Sequence, residues 1–392
     1  MTAIRNHRPD RIIFVCSDDD VATGRRGSHT EVLGIQRDAE VPSEACEVLR
    51  VPADSPSEII PPVEEAVAKA LREGECIGDY TGGTKSMSAS LFFVISQTPE
   101  ARLSLVSGPR SNLMKVETGE RVLALPSAAL HRRRLHELVA ACWDRFSYAE
   151  AQRLIISAPS EVRDAHTDRW EQLSGGFALW DSWDHAGALK VLEPFGRYAG
   201  EYMPALRSLV RGHDGGPEAD AQRIVDVYLS AERRARAHHY DAAVLRLYRA
   251  LEWVAQWTLR WHNKIETSDV PRDSPIAKHA TEDDISGTLV LSCIRAWRAV
   301  AELEGPLKVI ANGISGDQRI RTLAELRNKS VLAHGDRALG RVDYEAARAG
   351  IDRDVWVSFV SAAGRVRTIQ LPHVLPTDEP RSAADAQPPR PA

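Results

Sequence analysis

Cysteine is sparse and scattered in this chain. The five, Cys16, Cys46, Cys76, Cys142 and Cys293, form no close pair anywhere in 392 residues. That pattern excludes a paired-cysteine zinc site and gives no sign of a disulfide framework. A basic excess is missing as well. The net charge is −5, so no global positive field draws the chain to nucleic acid, and any such contact has to be local. No apolar run approaches the length of a bilayer span, and no signal peptide is read at the start. These absences predict a reduced, cytoplasmic protein that touches no membrane.

What is there is an ordinary globular balance, 43% hydrophobic and 27% charged, on a chain long enough for two or three domains. Two local basic runs stand out, His131-Arg-Arg-Arg-Leu-His136 and Glu232-Arg-Arg-Ala-Arg-Ala-His-His239. Each is either a nucleic-acid patch or a solvated helix face. The first 125 residues or so alternate short apolar runs with helical stretches. Arg11-Ile-Ile-Phe-Val-Cys16, Glu75-Cys-Ile-Gly-Asp79 and Arg102-Leu-Ser-Leu-Val-Ser107 read as strands, with helices over 62–73 and 85–97. Strand and helix in alternation predict a parallel sheet in a doubly wound α/β domain.

Beyond about residue 130 the strand signals fade. Three segments echo one another: Phe146-Ser-Tyr-Ala-Glu-Ala151, Trp183-Asp-His-Ala-Gly-Ala188 and His238-His-Tyr-Asp-Ala-Ala243. Each sets an aromatic or histidine ahead of small alanines and then enters an apolar helix, which is how helical hairpins start. Their unequal spacing predicts an irregular bundle rather than a solenoid. Glycines at 212, 215 and 216 mark a boundary, and one long helix is expected over 221–261. Trp253, Trp257 and Trp261 recur along it, as core packing or as a base-stacking platform. The organisation expected is therefore 1–128, an α/β domain; 129–215, a helical connector; 216–371, a second helical domain; and 372–392, a disordered tail rich in proline and charge.

Two motifs carry chemistry. Asp79-Tyr-Thr-Gly-Gly-Thr-Lys85 lies at the carboxyl end of a strand, where a glycine loop opens a helix and α/β domains bind ligands. Free amides in the helix's first turn, the hydroxyls of Thr81 and Thr84, and Lys85 suit a phosphate-bearing ligand. A tight turn without ligand is the alternative. A triphosphate P-loop is disfavoured, because the lysine stands one position late with no hydroxyl in register for magnesium. The second motif is Arg327-Asn-Lys-Ser-Val-Leu-Ala-His-Gly335. On a continuous helix Arg327 and His334 share one face about 10 Å apart. A permanent guanidinium beside an imidazole suits phosphodiester cleavage, the one holding the phosphate and the other moving a proton. A solvated helix end with a capping histidine is the plain alternative.

The two motifs in this order resemble the CARF–HEPN ribonucleases, ancillary effectors of type III CRISPR systems. The segment Tyr240-Asp-Ala-Ala-Val-Leu-Arg-Leu-Tyr-Arg-Ala-Leu-Glu252 is similar to the first long HEPN helix of that family. The resemblance implies an N-terminal Rossmann-like CARF domain, an all-α connector and an all-α HEPN domain. It implies a homodimer in which a cyclic oligoadenylate binds across the CARF axis, with Asp79, Thr81, Gly82, Gly83, Thr84 and Lys85 as ligand-binding positions. Ser17, Ser107 and Gly108 join them by topology, at the ends of neighbouring strands. Arg327 and His334 carry over as catalytic residues, with Asn328 and Ser330 orienting them. The implied reaction is metal-independent cleavage of single-stranded RNA, with no cofactor and no action on DNA, at a site composed by two protomers. The non-enzymatic alternative is a nucleotide-sensing scaffold that binds RNA or a partner without cutting it.

Overall fold

The computed structural model describes residues 1–19, 24–108, 110, 111, 114, 115, 121–314, 318–351 and 355–376. The chain divides into two compact units. Met1–Leu138 and Ser157–Thr167 form the first; Val139–Ile156 and the chain from Asp168 onward form the second.

The first unit is α/β. In chain order it runs α1 (Thr2–His7), β1 (Ile12–Ser17), α2 (Val32–Ala39), β2 (Cys46–Val51), α3 (Pro56–Glu73), β3 (Ile77–Asp79), α4 (Lys85–Ser96) and β4 (Arg102–Ser107). A two-residue pair follows, β5 (Arg110–Ser111) and β6 (Met114–Lys115), then β7 (Arg121–Pro126). β1 and β2 are parallel, Ile12 opposite Cys46 and Ser17 opposite Val51. β3 and β4 are parallel in a second sheet, closed by β7 running antiparallel to β4. Val51, Ile59, Val63, Ile95 and Leu103, with Val15 and Leu49 packed against them, join strands of both sheets and helices α3 and α4 in one core.

The wholly parallel single sheet expected from the sequence is not what forms: β1 pairs with β2 in one sheet, and β7 makes the other mixed. Two local features also differ from the sequence pattern. β2 is hidden there because Glu47 and Arg50 interrupt its apolar run. Both charges are answered at the surface: Glu47 by Arg11 (2.6 Å) and Lys69 (3.1 Å), Arg50 by Asp18 (2.8 Å). α3 starts at Pro56, six residues before its expected beginning at 62. Ser55 Oγ donates to Glu58 Oε1 at 2.6 Å, the Glu58 and Ile59 amides donate to the Ser55 carbonyl, and Pro56 sits where a missing N–H is harmless.

The second unit is helical. α5 (Ala128–Asp144) enters it past Leu138, and α6 (Tyr148–Ser157), α7 (Ala165–Asp181), α8 (His185–Leu192), α9 (Gly196–Ala199) and α10 (Met203–Arg211) follow. Then come α11 (Gly216–Arg236), α12 (Tyr240–Asn263), the short strands β8 (Thr281–Glu282) and β9 (Leu289–Val290), and α13 (Cys293–Glu302). α14 (Lys308–Ile314), α15 (Gln318–Lys329), α16 (Arg341–Ile351) and α17 (Val357–Ala363) complete it. The expected order, a Rossmann-like α/β region followed by helices, is the one observed.

The three echoing segments are three copies of one turn. Phe146, Trp183 and His238 all adopt left-handed backbone, with φ of 57°, 74° and 61°. In each, the next amide reaches back to close the preceding helix: Ser147 to the Cys142 carbonyl, Asp184 to Leu179 and His239 to Arg234. The alanines that follow, Ala151, Ala188 and Ala243, are fully buried and let the next helix pack closely. The single helix expected over 221–261 is broken by the last of these turns. α11 and α12 are separate helices, reversed at His238 without a glycine. Trp257 is buried with its Nε1 on the Pro217 carbonyl (2.9 Å), and Trp261 Nε1 bonds Asp220 (2.9 Å), so these rings pack the bundle.

The arginines of the basic run at 232–239 are taken up by ion pairs within the helical unit, while His238 and His239 stay exposed. Arg233, 1% exposed, donates to Asp181 (2.8 Å), Gln370 (2.9 Å) and Asp226 (3.3 Å), while Arg234 pairs with Asp181 and Arg236 with Asp144 (2.7 Å). Burial alone would raise the Asp226 carboxyl. Arg233, His185 and Trp180 outweigh it and hold that group below the usual carboxylate range. The segment expected to begin a disordered tail at 372 is anchored for its first residues. Pro372 and Pro376 present carbonyls to the Tyr148 hydroxyl and the Trp170 indole N–H. The rest of that tail lies outside the described residues.

Candidate functional site

In the first unit the carboxyl ends of the strands are stitched together by backbone and side-chain bonds from their own loops. The Asp18 amide donates to the Val51 carbonyl (3.0 Å), linking β1 to β2. Thr84 Oγ donates to the Ala53 carbonyl, linking the loop after β2 to the loop after β3. Thr81 Oγ accepts the Val106 amide (2.7 Å), linking β3 to β4. Asp79 is equally occupied, accepting from the Thr81 amide (3.2 Å) and from Ser104 Oγ (2.8 Å), which in turn meets His7 Nε2 at 2.9 Å. Ser17 is held in a reciprocal pair with Ser28: each amide donates to the other's hydroxyl at 2.9 Å.

Most of the predicted ligand-binding side chains therefore already serve the scaffold. What they leave for a ligand is the backbone and one charge. Thr84 caps α4 by accepting the Met87 amide (3.2 Å), and the remaining first-turn amides have no intrahelical acceptor, as at every helix start. Lys85, the first helical residue, is exposed. Gly83 is required by the turn, at φ +92°. Gly82 is different: an added Cβ would meet nothing within 4 Å, so the fold gives no reason for glycine there. Open space over a glycine, at a helix start, is what close approach of an anionic ligand needs. Ser107, the last residue of β4, is exposed, and Gly108 just beyond it is half-buried. Sequence reading missed His7, which reaches this edge from α1 and carries no motif.

In the second unit the Arg327–Gly335 segment departs from the expected helix. α15 ends at Lys329, so Arg327 and His334 do not share one helical face. The cause is Ser330, which is fully buried. Its hydroxyl donates to Asp241 Oδ1 of α12 at 2.7 Å and accepts the Leu332 amide at 3.2 Å, a local bonding pattern that competes with helix propagation. The Ser330 carbonyl then takes the Ala333 and Gly335 amides, and the chain doubles back so that the Arg337 amide reaches the Lys329 carbonyl (3.1 Å). A Cβ on Gly335 would stand 2.1 Å from that same carbonyl, so this glycine is demanded by close approach.

The result is a tight turn with its chemistry outside. His334 and Asn328 are exposed and Arg327 is half-buried. Arg327 donates to Asn328 Oδ1 (2.8 Å), and its guanidinium lies 5.3 Å from the centre of the Tyr248 ring. Burial pushes the Tyr248 phenol well up, so it stays neutral. Burial likewise pushes the neighbouring Cys293 thiol up to about 12. Among the described residues, no group of three His, Cys, Asp or Glu could hold a metal ion, and no helix is long and apolar enough to cross a membrane. Asp241 and Tyr248, both on α12, are the residues that the motif alone did not reveal.

Residues 216–354 match the family model described as the Csm6 HEPN domain. No curated protein matches the chain. Among solved structures, Enterococcus italicus Csm6 bound to cyclic hexa-2′-fluoro-hexa-dAMP superposes with a TM-score of 0.55 at 13% identity, covering 92% of this chain and 88% of that one. By its fold and by the match over its C-terminal helices, the chain is similar to the Csm6 proteins, CARF–HEPN effectors of type III CRISPR systems.

Proposed function

We propose that this protein is an endoribonuclease of type III CRISPR defence, switched on by a cyclic oligoadenylate and cutting single-stranded RNA without a metal ion. Residues 1–128 are the CARF sensor, 129–215 the connector and 216–371 the HEPN nuclease. The observation that carries the reading is the turn at Ser330. It seals that serine inside and leaves Arg327, Asn328 and His334 on the outer side of a segment that matches the Csm6 HEPN domain.

The chemistry follows from the groups. The RNA 2′-oxygen attacks the adjacent phosphorus as the bond to the 5′-oxygen breaks. A His334 imidazole takes the proton from the 2′-hydroxyl and another protonates the departing 5′-oxygen, leaving a 2′,3′-cyclic phosphate and a 5′-hydroxyl. Arg327 holds the charge that gathers on the phosphoryl oxygens. Two histidine roles and two arginines are met if two turns face each other across a twofold axis, so the active form is a homodimer. DNA lacks the 2′-hydroxyl and is not a substrate. The activator lies over Gly82 and Gly83, on the first-turn amides of α4 and Lys85, and is a ring of six adenylates, the ring size named for the Enterococcus protein's ligand. Its binding shifts the HEPN pair towards a competent spacing.

The test is cleavage of a fluorescent single-stranded RNA in EDTA, with and without cyclic hexa-adenylate. Cleavage that needs the ring and ignores the chelator is the expected result. Cleavage that needs magnesium, or equal rates without the ring, overturns the corresponding part. Binding of RNA with no cleavage under any condition would make the chain a scaffold.

A further inference from the structure

The motif at 327–335 does not hold itself in place; α12 does. Asp241 and Tyr248 are seven residues apart, about two helical turns, so they lie on one stripe of that helix. Asp241 uses both carboxylate oxygens on the turn. Oδ1 accepts the Ser330 hydroxyl at 2.7 Å, and Oδ2 accepts the Leu339 amide at 3.0 Å. Those two partners stand on either side of His334, and both are shielded from water, at 0% and 6% exposure. One carboxylate thus clasps the two ends of the histidine's loop. Two turns along the stripe, the Tyr248 ring carries the Arg327 guanidinium at 5.3 Å, with the Tyr248 hydroxyl beside the buried Cys293 thiol.

We infer that Asp241 and Tyr248 are positioning residues for RNA cleavage, one fixing the histidine's loop and the other the arginine. This rests on the reading of Arg327 and His334 given above. Neither residue is required to touch RNA. Asp241 acts through Ser330 and Leu339, and Tyr248 acts through Arg327. The spacing of the two reacting groups is set by α12, a rigid element, although the turn they stand on is short and exposed.

The experiment measures kcat and KM of the full-length protein on single-stranded RNA at saturating cyclic hexa-adenylate. The variants are His334→Ala, Asp241→Ala, Asp241→Asn, Ser330→Ala, the Asp241→Ala/Ser330→Ala double, Tyr248→Leu and Tyr248→Phe. Asp241→Ala is expected to lower kcat by about tenfold or more with KM little changed, since loosened reacting groups lose rate rather than binding. Because Asp241 works through Ser330, the double variant should be no slower than the slower single, where independent sites would multiply. Asp241→Asn should recover most of the rate, its carbonyl on the Leu339 amide and its NH2 on Ser330. Tyr248→Leu should lower activity by about two- to fivefold, and Tyr248→Phe, which keeps the ring under the guanidinium, should restore it.

The outcomes separate the two claims. Full cleavage by His334→Ala sinks the assignment of the catalytic pair, whatever Asp241 does. Loss of cleavage in His334→Ala together with wild-type kcat in Asp241→Ala, or multiplying effects of Asp241→Ala and Ser330→Ala, overturns the positioning role alone. Should Asp241→Ala fail to fold, the decision passes to Ser330→Ala, which lifts one bond only. A wild-type kcat there also overturns it.

Discussion

In the first unit, Asp79, Thr81 and Thr84 commit their polar atoms to joining strand ends, and the loop faces outward with glycines, amides and Lys85. In the second, a serine and a distant aspartate build the turn, and the side chains with reactive chemistry are left outside it. Both loops read alike in sequence, as short polar runs punctuated by glycine. They divide labour in opposite ways. A loop that binds can rely on its main chain, because amides at a helix start recognise an anion without side chains. A loop that cleaves cannot, because proton transfer and charge neutralisation need an imidazole and a guanidinium.

That contrast can be broken or sharpened by substitution. The largest effect belongs to the reactive side chain itself. His334→Ala should slow RNA cleavage by about 10²- to 10⁴-fold and leave cyclic oligoadenylate affinity as it was, measured by single-turnover cleavage beside titration calorimetry. Removing the one free charge of the binding loop comes next. Lys85→Ala should weaken the activator by about 10- to 100-fold, the worth of a charge-assisted bond, with no fall in melting temperature. The two glycines then divide fold from function. Gly83→Ala, at left-handed φ, should destabilise the first unit by about 1–2 kcal/mol in urea titration. Gly82→Ala, into open space, should leave stability unchanged and weaken activator binding instead. Thr84→Ala should act on stability alone, by about 1–2 kcal/mol, through the lost helix cap and the lost bond to the Ala53 carbonyl. A Thr84→Ala protein that loses activator binding at undiminished stability would mean that this hydroxyl meets the ligand and not the scaffold.

The α/β-then-helix order and both motifs were legible in the sequence because each rests on local pattern: apolar runs, a glycine loop before a helix, an arginine and a histidine in one short stretch. Most of what was hidden depends on partners far away in the chain. α15 stops at Lys329 with no proline or glycine to announce it, since the stop is a hydrogen bond from Ser330 to Asp241, 89 positions distant. α11 and α12 part at His238 for a local reason that the apolar pattern does not carry: a non-glycine residue takes left-handed backbone and the His239 amide closes the preceding helix. β2 carries two charges that look wrong for a strand until Arg11, Lys69 and Asp18 are brought beside them. For the candidate sites, sequence marked the right stretches. It could not tell which polar atoms in them were already taken.

The strap at 372–376 makes the helical unit close late. The Tyr148 hydroxyl, buried near the start of that unit, finds its acceptor 224 residues downstream, at Pro372. A ribosome would have to deliver another 224 residues before that phenol is answered. Any version cut short before this point would carry an orphaned hydroxyl in its interior, so expression trials that trim the tail should keep everything through Pro376.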